Sequence, residues 1–276
     1  MHSVRLEGVT DFHASLEPIL QAFSGSIGVK AVRLHDGYTL EHNATEVFPA
    51  ASVMKVWLML EAFKQVEAGS LELHQPISLP AGERVGGSGV LMRVEGGAGL
   101  TLLDYINLMI VVSDNTATNV VLDAVGGRDA VNARLKSWGL ERTHVVGKLM
   151  LPFERKNEDQ KAGKLAEITP QECITVLERL QRGELLNAEL TALALEIMGA
   201  QQYTEIIARY LPDDVKVATK SGQITGVRND IGFVWAVQPY IVALCSQGCA
   251  DARFHIDNEA VLALGRVSKL VYDSLL

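Results

Sequence analysis

Apolar residues at Phe12, Leu16, Ile19, Leu20 and Phe23 recur at the spacing of one helical face. They predict a helix over Asp11–Phe23, stopped by Ser24-Gly25. Ile27 to Leu34 alternates apart from one slip and predicts a strand; Asp36-Gly37 is a tight-turn signal, and Tyr38–Val47 reads as the returning strand of a hairpin. From Ser52 the pattern changes. Val53, Trp57, Leu58, Leu60 and Phe63 predict a strongly apolar helix running to about Ala68 and closed by Gly69. Further helical runs follow at Leu103–Met109, Thr116–Val125, Val131–Trp138 and Leu185–Met198. Thr169-Pro170-Gln171-Glu172 reads as another helix start, with Thr169 at the cap and Pro170 at the first helical position. The last quarter returns to short β-branched or aromatic runs at Val215–Ala218, Asp230–Val237 and Tyr240–Ser246. Turns are expected at Gly222–Gly226 and Gln238-Pro239, and a closing helix at Asn258–Leu275.

This order predicts an α+β fold in which an antiparallel sheet is flanked by the terminal helices and an all-helical lobe is inserted between its first and later strands. The α/β lobe is expected over residues 1–50 and 205–276 and the helical lobe over 51–204, in a single catalytic domain with its active site between the lobes.

Composition narrows the function classes. The chain has 276 residues, 48% hydrophobic and 21% charged, as expected of a soluble globular protein. A formal net charge of −8 argues against nucleic acid or an anionic membrane as partner, since both reward a basic patch. No stretch approaches the ~18 apolar residues of a membrane span. Met1 to Leu20 has no basic region followed by an apolar run, so the sequence as written predicts a cytoplasmic protein, or an exported one from which a leader has been removed. The three cysteines, Cys173, Cys245 and Cys249, are odd in number and read as buried thiols rather than a disulfide framework or metal site.

The candidate chemistry begins at Ser52-Val53-Met54-Lys55. A serine and a lysine three apart at a helix start share one face, which would set the amine beside the hydroxyl. A serine alcohol needs a base to become a nucleophile, and a lysine serves once desolvation or a neighbouring cation lowers its pKa. One such tetrad is expected by chance in a chain of about this length. Ser113-Asp114-Asn115 and Lys220-Ser221-Gly222 change the odds, because all three elements in this order arise in only about one random chain in fifty. They are the trio described for serine β-lactamases and penicillin-binding proteins.

With these elements the chain resembles the class A β-lactamases and related penicillin-recognising serine hydrolases. The resemblance runs from about Thr10 to Leu275 and takes in Ser26-Ile27-Gly28-Val29, Phe48-Pro49-Ala50-Ala51-Ser52, Gly87-Ser88-Gly89-Val90-Leu91, Ser113-Asp114-Asn115-Thr116-Ala117-Thr118-Asn119 and Arg228-Asn229-Asp230-Ile231. It implies hydrolysis of a β-lactam amide through an acyl-serine intermediate. Ser52 would be the nucleophile, Lys55 its proton acceptor and Ser113 the relay to the leaving nitrogen. Asn115 would contact the substrate's acylamino group, Lys220 and Ser221 its carboxylate, and Arg228 would be a second carboxylate contact. The backbone N–H groups of Ser52 and Gln223 would form the oxyanion hole. Asp114 and Asn119 would brace the neighbouring loops. Neither metal nor cofactor is implied; the expected partner is a small acyl substrate, β-lactam or peptidoglycan-like, and the expected state is a monomer.

The chain departs from this pattern in one loop. Class A enzymes carry a glutamate in a Glu-x-x-Leu-Asn pattern that activates the deacylating water. Here the window Lys148–Asn157 offers only Glu154, three residues rather than four before Asn157 and without the leucine. Glu154 is therefore the candidate deacylation base, with a solvated loop glutamate as the open alternative. The loop's usual arginine–aspartate closure is also absent, and Lys148 and Glu167 are its nearest substitutes. Alternatives that keep acylation are a peptidase, amidase or esterase with slow β-lactam turnover, or a penicillin-binding sensor. His144 and His255 lack the partners of a Ser-His-Asp triad, and Gly86-Gly87-Ser88-Gly89 lacks the Lys-Ser/Thr of a phosphate loop.

Overall fold

A computed structural model describes residues 11–94 and 99–276. In chain order the helices are α1 (Phe12–Ala22), α2 (Met54–Glu67), α3 (Leu102–Val111), α4 (Asn115–Ala124), α5 (Gly127–Ser137), α6 (Glu158–Lys161), α7 (Pro170–Gln181), α8 (Ala188–Gly199) and α9 (Glu259–Leu275). The strands are β1 (Ser26–Arg33), β2 (Thr39–His42), β3 (Phe48–Pro49), β4 (Pro76–Ile77), β5 (Leu100–Thr101), β6 (Glu167–Ile168), β7 (Lys216–Ile224), β8 (Val227–Trp235) and β9 (Tyr240–Gln247). Five strands form an antiparallel sheet in the order β2-β1-β9-β8-β7, so the expected α+β architecture is the one observed.

The sheet is covered on both faces. Val29, Val234, Val242 and Leu244 pack with Phe12 and Leu16 of α1 and Val261, Leu264 and Val267 of α9. Ala218, Ile231, Phe233 and Ala243 on the other face join α2, α3, α4 and α7 in a second core. Two-sided burial explains why β9 reads as a nearly continuous apolar run rather than an alternating one, and why β8 is buried along almost its whole length, its Arg228-Asn229-Asp230 included. Short polar side chains set the helix starts: Asp11, Thr101, Asp114, Asn157, Thr169, Asn187 and Asn258 each accept a backbone N–H from the first turn of α1, α3, α4, α6, α7, α8 and α9.

Three sequence expectations are corrected. The return strand expected over Tyr38–Val47 ends at His42, where Asn43 adopts a left-handed φ of 49°; Phe48–Pro49 pairs instead with Glu167–Ile168. The turn expected over Gly222–Gly226 shrinks to its last residues, because β7 continues to Ile224 in register with β8. The helix expected from Leu185 starts at Ala188, after the Asn187 cap. Among the described residues no helix is long and apolar enough to cross a membrane.

Candidate active site

Ser52 lies just before α2, in a 3-10 turn spanning Ala51–Val53. Ala51 holds a positive φ of 47°, an uncommon conformation for a residue with a Cβ. The surroundings fix it. Asn229 of β8 donates its amide to the carbonyls of Pro49 (2.8 Å) and Ala50 (3.3 Å), and the Ala50 N–H donates to Ala166 O at 2.7 Å. The edge strand β7 presses on the same turn: a Cβ on Gly222 would stand 2.9 Å from the Ser52 nitrogen, so only glycine lets the two backbones approach. Ser52 and Gln223 face a common cavity of about 620 Å³. Among the described residues nothing hydrogen-bonds the Ser52 hydroxyl.

Lys55, one helical turn on, is fully buried. Its Nζ donates to Ser113 O (2.6 Å), Ser113 Oγ (3.0 Å) and Asn115 Oδ1 (2.9 Å). Among the described residues no hydrogen bond joins this amine to Ser52, so its hold is on the Ser113 side. An ammonium has three protons to place, and three acceptors on the α3–α4 connection take them all. Ser113 also has a left-handed φ, 53°, which turns its carbonyl and hydroxyl to the same side. Lys220 of β7, likewise fully buried, donates to that hydroxyl at 3.2 Å and to Ser221 O at 2.8 Å. Burial pushes both amines down. Lys55 falls well below the ordinary lysine range, helped by the Lys220 charge and opposed by Asp114. Lys220 falls to about 7, opposed by Asp230. The result is two easily deprotonated amines joined through one serine hydroxyl.

Neighbouring groups hold this chain of contacts in place. Asp114 caps α4 through Ala117 N (2.9 Å), and its other oxygen accepts from Val90 N and Leu91 N. Asn115 donates to Gly86 O at 3.1 Å while accepting from Lys55, and Gly87 and Ser88 complete that side of the cavity. The structure thus brings Ser52, Asn115 and Gln223 to the cavity wall, with Lys55, Ser113 and Lys220 linked behind it. Ser221, Gln223 and Arg228 line an adjoining cavity of about 280 Å³.

Two candidates stand differently from their sequence-based placement. Arg228 is buried, and its Nη atoms donate to the carbonyls of Ile224, Val227 and Arg253 at 2.6–2.8 Å while Phe254 covers the guanidinium. It therefore fixes the β7–β8 turn and presents itself to the adjoining cavity rather than to the one containing Ser52. Glu154 sits exposed in a 3-10 turn, Phe153–Arg155, and is absent from the Ser52 cavity wall. The proposed Lys148–Glu167 closure does not form either. Lys148 reaches Asp123 at 2.5 Å, Glu167 lies beside His144, and the loop is braced by Arg128 on Asp159 (2.7 Å) and Val146 O (3.1 Å).

Leu149 shares the cavity wall with Ser52. Asn119 clamps its backbone from both sides, donating to Leu149 O (3.0 Å) and accepting from Leu149 N (2.7 Å), and Leu149 and Met150 line the cavity. No Asp or Glu lines that cavity among the described residues. Motif spacing could not identify Leu149, because the reciprocal Asn119–Leu149 clamp joins residues thirty apart.

Among the described residues no group of three or more His, Cys, Asp or Glu side chains could hold a metal ion. A family model described as the beta-lactamase enzyme family matches residues 11–275. Beta-lactamase AER-1 of Aeromonas hydrophila is 26% identical over 90% of this chain and 81% of its own. A beta-lactamase crystal structure from Sphaerobacter thermophilus superposes with a TM-score of 0.84 at 30% identity, covering 96% of this chain and 97% of that one. A mutant of PBP-A, solved as its acyl-enzyme complex with penicillin G, superposes with a TM-score of 0.81 at 25% identity, covering 97% and 98%. A matched family spanning nearly every described residue, on a fold shared with these structures, places the chain in the beta-lactamase enzyme family.

Proposed function

We propose that this chain opens β-lactams by acylating Ser52 and releases the product slowly. The observation that carries the first half is the buried Lys55–Ser113–Lys220 chain of contacts behind a cavity onto which Ser52 opens. Ser52 Oγ attacks the amide carbonyl and its proton passes to neutral Lys55, directly or through a water. The C–O bond forms, and the charge developing on the carbonyl oxygen is held by the backbone N–H groups of Ser52 and Gln223. The C–N bond then breaks as Ser113 Oγ–H protonates the nitrogen, Lys55 returning a proton to Ser113. Lys220 and Ser221 bind the substrate carboxylate and Asn115 its acylamino group. Release of the ester needs a water and a base to activate it. The cavity wall carries Leu149 and Met150 and, among the described residues, no carboxylate, and Glu154 is exposed.

The same apolar wall favours a second reading with the same first step: a peptidase, esterase or penicillin-binding sensor for peptidoglycan-like acyl groups, for which the β-lactam adduct is long-lived. Stopped-flow mixing with a chromogenic cephalosporin tests the proposal. The expected trace is a burst of about one opened ring per chain followed by a much slower phase. A linear trace from the first turnover would contradict slow release, and no ring opening at all would contradict acylation.

A further inference from the structure

The cavity next to the Ser52 cavity shares Gln223 and Phe254 with it and is walled by Tyr203, Glu205, Ser221 and Arg228. Strand alternation explains the split. Ser221 and Gln223 of β7 pair with Asp230 and Arg228 of β8, placing these four on one sheet face, while Lys220, paired with Ile231, lies on the other. Gln223, on both walls, marks the passage between the two cavities, and Ser221 lies on the second-cavity side of it. On the proposed mechanism, from which this inference follows, a substrate carboxylate at Ser221 belongs to the portion attached to the departing atom. A substituent beside that carboxylate points into the second cavity.

The wall there is chemically uneven. Arg228 donates through its Nη atoms to three backbone carbonyls, while its buried Nε has no hydrogen-bond partner among the described residues; Phe254 caps it, with its ring 4.9 Å from the guanidinium carbon and 60% exposed. Glu205 is half-buried, with no hydrogen bond or ion pair among the described residues, and the Tyr203 hydroxyl is equally unengaged. His255, also on the wall, is turned toward Asp257 (3.8 Å). A carboxylate on a cavity wall without a protein partner is free to take a cation, and the exposed aromatic ring on the same wall suits an alkyl chain carrying that cation. We infer that this second cavity is a leaving-group subsite, in which Glu205 receives an ammonium borne on the side chain of the departing amino or hydroxy acid. The preferred substrate is then a peptide-like acyl compound ending in a lysine-like residue rather than a neutral one.

Two depsipeptide esters with a common acyl part test this, one ending in a 2-hydroxy acid with a butyl side chain and the other with an aminobutyl side chain. Calorimetry on Ser52→Ala protein separates binding from acylation. The aminobutyl ester is expected to bind about fivefold tighter, and the preference to vanish when Glu205→Gln is added. Equal affinities in Ser52→Ala protein, or a preference that survives Glu205→Gln, would overturn the subsite. If the preference is found but neither ester acylates the native chain, the subsite stands and the acylation mechanism fails.

Discussion

Ser52→Ala is expected to remove covalent labelling by any β-lactam, lowering the rate of ring opening by a factor on the order of 10⁴ or more. The loss is chemical rather than structural. The Ser52 hydroxyl has no hydrogen-bond partner among the described residues, and its turn is held by Asn229, Ala166 and the close passage of Gly222. The thermal midpoint should therefore move little, by the equivalent of about 0.5 kcal/mol. Lys55, Ser113 and Lys220 keep their contacts in the variant but have no alcohol to deprotonate. Labelling that persists on another residue of Ser52→Ala protein would sink the assignment of the nucleophile.

Leu149→Glu is expected to shorten the life of the acyl-Ser52 ester by about 10²–10⁴-fold, the usual contribution of a positioned general base. The Asn119 clamp acts on the Leu149 backbone and does not depend on its side chain, so the new carboxylate inherits a fixed position on the cavity wall. The variant exchanges half-buried apolar packing for a charge, and a stability loss of about 1–3 kcal/mol should accompany the gain. Adduct decay followed in Leu149→Glu and Leu149→Gln separates base catalysis from mere loosening of the wall. Equal decay in the two would show that the carboxylate supplies nothing.

The sequence made the fold legible wherever periodicity and turn chemistry agreed. The helix beginning at Asp11, the helix capped by Thr169 and the closing helix after Asn258 all carry polar caps that the structure uses. The β7–β8 turn was misplaced because Gly222 looks like a turn residue. Its glycine serves the close approach to Ser52 instead, a requirement that depends on a contact 170 residues away in the chain. The three motifs brought out Ser52, Lys55, Ser113, Asn115, Lys220 and Ser221 as candidates, and the family resemblance added Gln223. What the motifs could not convey was direction. Lys55 is tied to Ser113 and Asn115, Arg228 to backbone carbonyls, and Glu154 is exposed. The first two follow from which acceptors lie nearest in space and the third from where the loop runs, and spacing along the chain encodes neither. The left-handed conformations at Ala51 and Ser113 were equally invisible, since neither residue is glycine.

The most direct measurement is the intact mass of the native chain over time after mixing with benzylpenicillin, followed by peptide mapping of any adduct. One penicilloyl group on Ser52, formed quickly and still present after minutes, is the predicted result. No adduct, or one mapped to a different residue, would contradict acylation at Ser52.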